Sequence, residues 1–142
     1  MIATSTANEL TPVFIDTSAL LGALNARDSC HEEAAALFAA LASRRTRLLT
    51  TSYVLLETYA LVGRRLGVAQ ARRFRAEFAS LLDIVWVDAD LHERGLDVWL
   101  RAGSRDLSLV DTVSFALLEE LGLREALAFD QHFTDRGFVL PQ

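Results

Sequence analysis

Hydrophobic residues recur along this chain in two rhythms. Short apolar runs of strand length alternate with longer stretches in which apolar positions return every three or four residues, the period of a helix packed on one side. The first rhythm predicts strands at Pro12–Asp16, Arg47–Thr50, Ile84–Val87, Leu127–Phe129 and Phe138–Leu140. The second predicts helices at Thr17–Leu24, Ser29–Ala42, Ser52–Arg65, Val68–Leu81, Ala89–Ala102 and Leu109–Leu121. Short apolar strands alternating with helices imply an α/β fold, with a mostly parallel sheet covered on both faces. In such sheets ligands gather beyond the carboxyl ends of the strands, where the winding reverses.

Acidic residues interrupt this pattern in telling places. "VFID" and "LAFD" each end a strand on a carboxylate, Asp16 and Asp130. "IVWVD" does the same at Asp88, but a long helical pattern follows, and Asp88 reads as its N-cap. In "SYVLLETYALVGR" the helical period puts Tyr53, Leu56, Ala60 and Leu61 on one stripe, with Glu57 inside it. A carboxylate there is costly unless paired, hydrogen-bonded or bound to a metal, and Arg64 is the candidate partner for a salt bridge. In "DLSLVDTVSFALLEELG", Ser108 and Asp111 form the S-x-x-D of a capping box, and Asp111 shares a side with Phe115 and Leu118. Asp16, Glu57, Asp111 and Asp130 are therefore expected to meet above the middle of the sheet. Crowded carboxylates cannot all stay ionised without a cation, and oxygen ligands without His or Cys suit Mg²⁺ or Mn²⁺.

Composition narrows the class. With 142 residues, 51% hydrophobic and 23% charged, the chain has the size and make-up of one soluble domain. That domain is expected over residues 11–142, after a loose polar segment at 1–10 that lacks the features of a secretory signal. No apolar run reaches the ~18 residues of a membrane span, so no membrane role is expected. Cys30 is the sole cysteine, which excludes an internal disulfide and a Cys-based zinc site and suits the reducing cytoplasm. A net charge of −5 does not advertise nucleic-acid binding. The basic residues are nonetheless all arginine and clustered, at Arg44, Arg45 and Arg47, at Arg64 and Arg65, and at Arg72, Arg73 and Arg75. Codon bias toward arginine and local phosphate-binding patches both account for that clustering. His31, His92 and His132 are assigned no catalytic role, and His132 is expected in a surface loop.

Taken in order, "VFIDTSALLGAL", "SYVLLETYAL", "DLSLVDTVSFALLEELG" and "ALAFDQHFTDRGFVLP" resemble the PIN-domain ribonucleases, especially the VapC toxins of bacterial toxin–antitoxin pairs. The resemblance implies a three-layer α/β/α sandwich and a Mg²⁺- or Mn²⁺-dependent endoribonuclease. By motif, Asp16, Glu57, Asp111 and Asp130 match the family's acids, and Thr17 and Ser18 match the small hydroxyl positions beside the first of them. Asp106 stands where some relatives carry another acid and is secondary. The resemblance also implies an RNA substrate, a homodimer and a small antitoxin protein as partners. Other phosphate chemistries fit less well. Receiver domains use a lysine that this chain lacks, and haloacid-dehalogenase-like enzymes need an Asp where Ser18 stands. Neither a P-loop nor a G-x-G-x-x-G fingerprint is present. Two alternatives stay open: a PIN-like binding module without turnover, and a solitary RNA-processing nuclease.

Overall fold

The computed structural model describes residues 11–142, so the expected loose segment at 1–10 lies outside the described residues. Strand β1 (Val13–Ile15) runs into helix α1 (Thr17–Leu24), followed by α2 (His31–Ser43), β2 (Leu48–Thr51), α3 (Ser52–Arg65) and α4 (Val68–Glu77). A single 3₁₀ turn (Ala79–Leu81) leads to β3 (Leu82–Val85), and then come α5 (Ala89–Ala102), α6 (Leu109–Leu121), β4 (Ala126–Leu127) and α7 (Gln131–Asp135). The four strands pair in parallel in the order β3-β2-β1-β4. Helices flank this sheet in the expected three-layer α/β/α arrangement. None of the helices among the described residues is long and apolar enough to cross a membrane.

The strand order locates the place where a site forms. From β1 the chain steps outward through β2 to β3, then returns to the other side of β1 with β4. The winding therefore reverses between β1 and β4, and the crevice beyond their carboxyl ends is the topological switch point. Asp16 follows β1 directly and Asp130 follows β4 after two further residues. Beneath this crevice lies an aromatic cluster. Phe133 of α7 meets Phe115 of α6 edge-on at 4.9 Å between centroids and stacks on Phe14 of β1 at 6.2 Å. All three rings are fully buried, so the elements carrying Asp16, Asp111 and Asp130 share one rigid floor.

Several boundaries differ from the sequence expectation, each for a local reason. β3 ends at Val85 rather than Val87, because its ladder partner β2 ends at Thr51. Trp86 projects into solvent at 73% exposure, and the Val87 amide turns to the Ser52 hydroxyl. The helix expected through Leu81 stops at Glu77 and finishes as the 3₁₀ turn. The expected strand Phe138–Leu140 amounts to one parallel bridge between Val139 and Glu125. Gly137 turns at φ 86 before it, and Pro141 brings no N–H to extend the ladder. The segment expected as a loop after Asp130 is the short helix α7.

The stripe assigned to α3 is also corrected. Val54, Thr58 and Val62 face the core, while Leu56 is 69% exposed and Ala60 lies in solvent. Thr58 is at home inside because its hydroxyl donates to the Val54 carbonyl at 2.8 Å, so its polar atom is satisfied within the helix. Glu57 sits half-buried on the flank of this helix, beside the true core stripe.

Candidate active site

Each acid is delivered by a helix start or a helix flank at the switch point. Asp16 is the N-cap of α1, Asp130 the N-cap of α7, and Asp111 the third residue of α6 in a capping box with Ser108. Asp16 accepts from the Ser18 amide at 3.1 Å and from the Ser18 hydroxyl at 2.7 Å, both on Oδ2. The Asp111 amide donates to the Ser108 hydroxyl, and Asp111 Oδ2 accepts from the Ser108 amide at 3.3 Å. Asp130 takes the His132 amide and the imidazole Nδ1 on Oδ1, at 2.9 and 2.8 Å. The caps therefore use one oxygen of each aspartate and leave its second oxygen to the space that all three line.

That space is a pocket of about 300 Å³ lined by Asp16, Thr17, Ser18, Glu57, Asp106 and Asp111, with Asp130, Ser108, Leu21 and Leu61 completing it. Two hydroxyls fix its walls. Ser18 Oγ, while donating to Asp16, accepts from the Phe129 amide at 2.9 Å and so pins the chain after β4 to the end of β1. The hydroxyls of Thr17 and Thr58 share a 3.2 Å hydrogen bond, which locks α1 to the helix that carries Glu57. Asp106 stands at the exposed rim, in the segment between α5 and α6.

The electrostatics of this pocket are unfavourable without a cation. Burial pushes Asp16 up to about 7 from its ordinary 3.8; Asp111 and Glu57 nearby add to the effect, and the Ser18 hydrogen bonds oppose it. Burial likewise raises Glu57, with Asp111 and Asp130 pushing the same way. The Thr17 hydroxyl lies near enough to Glu57 to counter part of that rise, although its hydrogen bonds go to Thr58 and Val54. Asp111 is raised by burial first and by Asp130 second, against the Ser108 bonds and the attraction of His132. Among the described residues no arginine pairs with Asp16, Glu57 or Asp111, and the salt bridge considered between Glu57 and Arg64 is not formed. Carboxylates crowded this way either hold protons or hold a cation. A donor set of carboxylate oxygens fits Mg²⁺ or Mn²⁺.

All seven acids and hydroxyls picked out of the sequence line this one pocket, Asp106 from its edge. His132 is the residue whose setting was missed. Rather than standing in a surface loop, it lies in α7 with its imidazole against Asp130. Asp111, Asp130 and His132 each offer a ligand atom within 4.8 Å of the others. Its spacing, two residues after a strand-end aspartate, was the available signal.

A family model described as the PIN domain matches residues 13–139. The chain belongs to the PIN-domain family. It is similar to the 23S rRNA-specific endonuclease VapC20 of Mycobacterium tuberculosis, with 35% identity over 128 residues, 89% of this chain and 95% of that relative. The crystal structure of M. tuberculosis VapC20, a toxin that cleaves the sarcin-ricin loop, matches with a TM-score of 0.80 at 34% identity. That match covers 89% of this chain and 96% of the other. VapBC2 from Rickettsia felis, bound to a DNA fragment from its promoter, shares the fold at a TM-score of 0.65 and 15% identity, over 92% of this chain and 98% of that one. In this PIN domain the carboxylate pocket thus occupies the β1/β4 switch point.

Proposed function

We propose that this PIN domain is a Mg²⁺- or Mn²⁺-dependent endoribonuclease and the toxin of a toxin–antitoxin pair. One observation carries the reading: among the described residues four carboxylates converge without a basic partner other than His132, and three of them keep an oxygen outside their cap bonds. Asp16, Glu57, Asp111 and Asp130 are the proposed metal-holding and catalytic residues. When bound, a divalent ion supplies Lewis acidity toward a phosphate oxygen and lowers the pKa of water.

The remaining work falls to the chain. Ser18 holds Oδ2 of Asp16 and thereby fixes where Oδ1 points. Thr17 keeps the Glu57 helix in register with α1. The capping box sets Asp111, and His132 restrains Asp130 through Oδ1. Since these restraints exist before substrate arrives, the carboxylates need little reorganisation on binding. Exposed arginines on α4, Arg72, Arg73 and Arg75, are available to flanking phosphates, although Arg73 also pairs with Glu77.

The similarity to a 23S rRNA-specific endonuclease makes ribosomal RNA the first substrate to test. Purified protein should cut RNA with Mg²⁺ or Mn²⁺, stop in EDTA, and lose at least ~100-fold in rate with Asp16→Asn, since disturbing even outer-shell partners of a metal costs 10–100-fold. Cutting that survives EDTA overturns the proposal. We further propose a cytoplasmic homodimer neutralised by a small antitoxin protein. Light scattering tests the dimer, and a monomer across micromolar concentrations refutes it.

A further inference from the structure

We infer that the pocket walled by Trp99 and edged by Arg105 is a nucleobase subsite for the RNA strand that leaves the carboxylate pocket. This rests on the ribonuclease reading above. An RNA substrate is a chain, so the nucleotides beside the cut phosphate must lie on surfaces adjoining the carboxylates. One such surface is joined to them by the segment between α5 and α6. Gly103, Ser104 and Arg105 line a pocket of about 230 Å³ together with Trp99 and Leu100. Asp106 and Ser108, next along the same segment, line the carboxylate pocket. Arg105 and Asp106 are consecutive, so their Cα atoms are ~3.8 Å apart and one continuous segment lines both pockets.

The chemistry of this second pocket matches a base on a phosphodiester chain. Trp99 is held, because its indole N–H donates to the Leu107 carbonyl at 2.8 Å. That bond fixes the ring and ties it to the segment that carries Asp106 and Ser108. Beside it Leu100 is 63% exposed, an apolar surface left in water on the pocket wall. Arg105 is exposed and makes no salt bridge among the described residues, so its guanidinium is available to a phosphate. The volume is below the ~300–1,000 Å³ of clefts that take drug-sized ligands, which suits a single heterocycle. An aromatic face with an arginine at its rim is how single-stranded nucleic acid is gripped without pairing.

The test uses the full chain carrying Asp16→Asn, so that RNA binds without being cut. The probe is a short single-stranded RNA spanning the cut site mapped with the parent protein, compared with copies lacking one base in turn. Removing the base at one flanking position should weaken binding at least ~5-fold, the lower end of a base–aromatic stack. Trp99→Leu should abolish that penalty, while Trp99→Phe, which loses the same Leu107 hydrogen bond but keeps a ring face, should retain most of it. Arg105→Gln should reduce the slope of log K against log salt by ~0.7, one phosphate contact, and leave the base penalty in place. An equal base penalty in the Trp99→Leu protein overturns the subsite. So does unchanged RNA affinity accompanied by a loss of dimer mass, which assigns the pocket to a second copy of the chain. A parent protein that cuts no RNA overturns the ribonuclease reading itself, and the subsite with it.

Discussion

Three strands of the sheet are followed by an aspartate that caps the next helix, and two of these, Asp16 and Asp88, live in different surroundings. Asp16 after β1 and Asp88 before α5 share an extended backbone, φ −95 and −87, and each accepts a helix amide, from Ser18 at 3.1 Å and from Leu91 at 2.8 Å. The capping geometry does not separate them. Sheet position does: β3 is an edge strand and Asp88 is exposed, whereas β1 is central and Asp16 is 3% exposed beside Glu57 and Asp111. A carboxylate at a helix start is well placed by its cap, and whether it becomes part of a site depends on burial and on the other acids that share the crevice. Cap and ligand are then compatible roles for one residue.

The pH dependence of stability should part the two residues most widely. Asp16 is raised in the folded protein, from 3.8 to about 7, so the folded state holds its proton more tightly than the unfolded chain does. Its contribution is fully present below about pH 4 and is lost as pH rises to about 7. Roughly three pH units at 1.36 kcal/mol each set an upper bound of about 4 kcal/mol. Glu57 and Asp111 are raised too and act with the same sign. Urea unfolding in EDTA at pH 5 and pH 8 should show the parent losing stability across this range relative to Asp16→Asn. The Asp88→Asn protein should follow the parent. Parallel curves for the parent and Asp16→Asn would remove the electrostatic difference between the two strand ends.

Divalent cation should reverse that loss, by a smaller amount. Ligand that binds only the folded state stabilises by about 2.7 kcal/mol at a hundred times its dissociation constant. In thermal melts at pH 8, millimolar Mn²⁺ or Mg²⁺ should raise the parent and Asp88→Asn alike. Asp16→Asn should lose most of the gain. A melt of the parent that does not respond to either ion would mean that the crowded acids settle their charge by holding protons.

Much of this was legible because periodicity and strand-end acids are local signals. The β-α alternation, the capping box at Ser108 and Asp111 and the Asp88 cap all follow from neighbours within four residues. What escaped depends on side-chain hydrogen bonds, which hydrophobic counting does not see, and on contacts distant in sequence. Leu56 and Thr58 exchanged places because a hydroxyl bonded back to Val54 is as easily buried as a methyl, a choice hidden from hydrophobic counting. β4 stops short of Phe129 because that amide is taken by Ser18, 111 residues away. α7, with His132 turned onto Asp130, is a single short turn whose position depends on Phe133 packing into the Phe14–Phe115 floor. The four acids were visible as anomalies in the pattern, while their convergence on one crevice came from the order of the strands.

The smallest effect tests whether capping alone describes Asp88. Replacing an N-cap aspartate by alanine removes one hydrogen bond to the first helical turn and costs about 1 kcal/mol, while asparagine caps nearly as well. Asp88→Ala should therefore lower stability by about that much at pH 8 in EDTA, and Asp88→Asn should be close to neutral. The same pair of substitutions at Asp16 should not repeat the pattern. Asparagine there keeps the bond from the Ser18 amide and removes a charge that Glu57 and Asp111 repel, so Asp16→Asn should match or exceed the parent. Alanine at Asp16 gives up the cap and the bond to the Ser18 hydroxyl, which also steadies Phe129, so its gain from lost repulsion is offset. The quantity to measure is the alanine-minus-asparagine difference at each site, which cancels the charge common to both changes. About 1 kcal/mol at Asp88 and a larger gap at Asp16 would support the view that one local motif serves two purposes. Equal gaps would mean that Ser18 and Phe129 draw nothing from Asp16 beyond an ordinary cap.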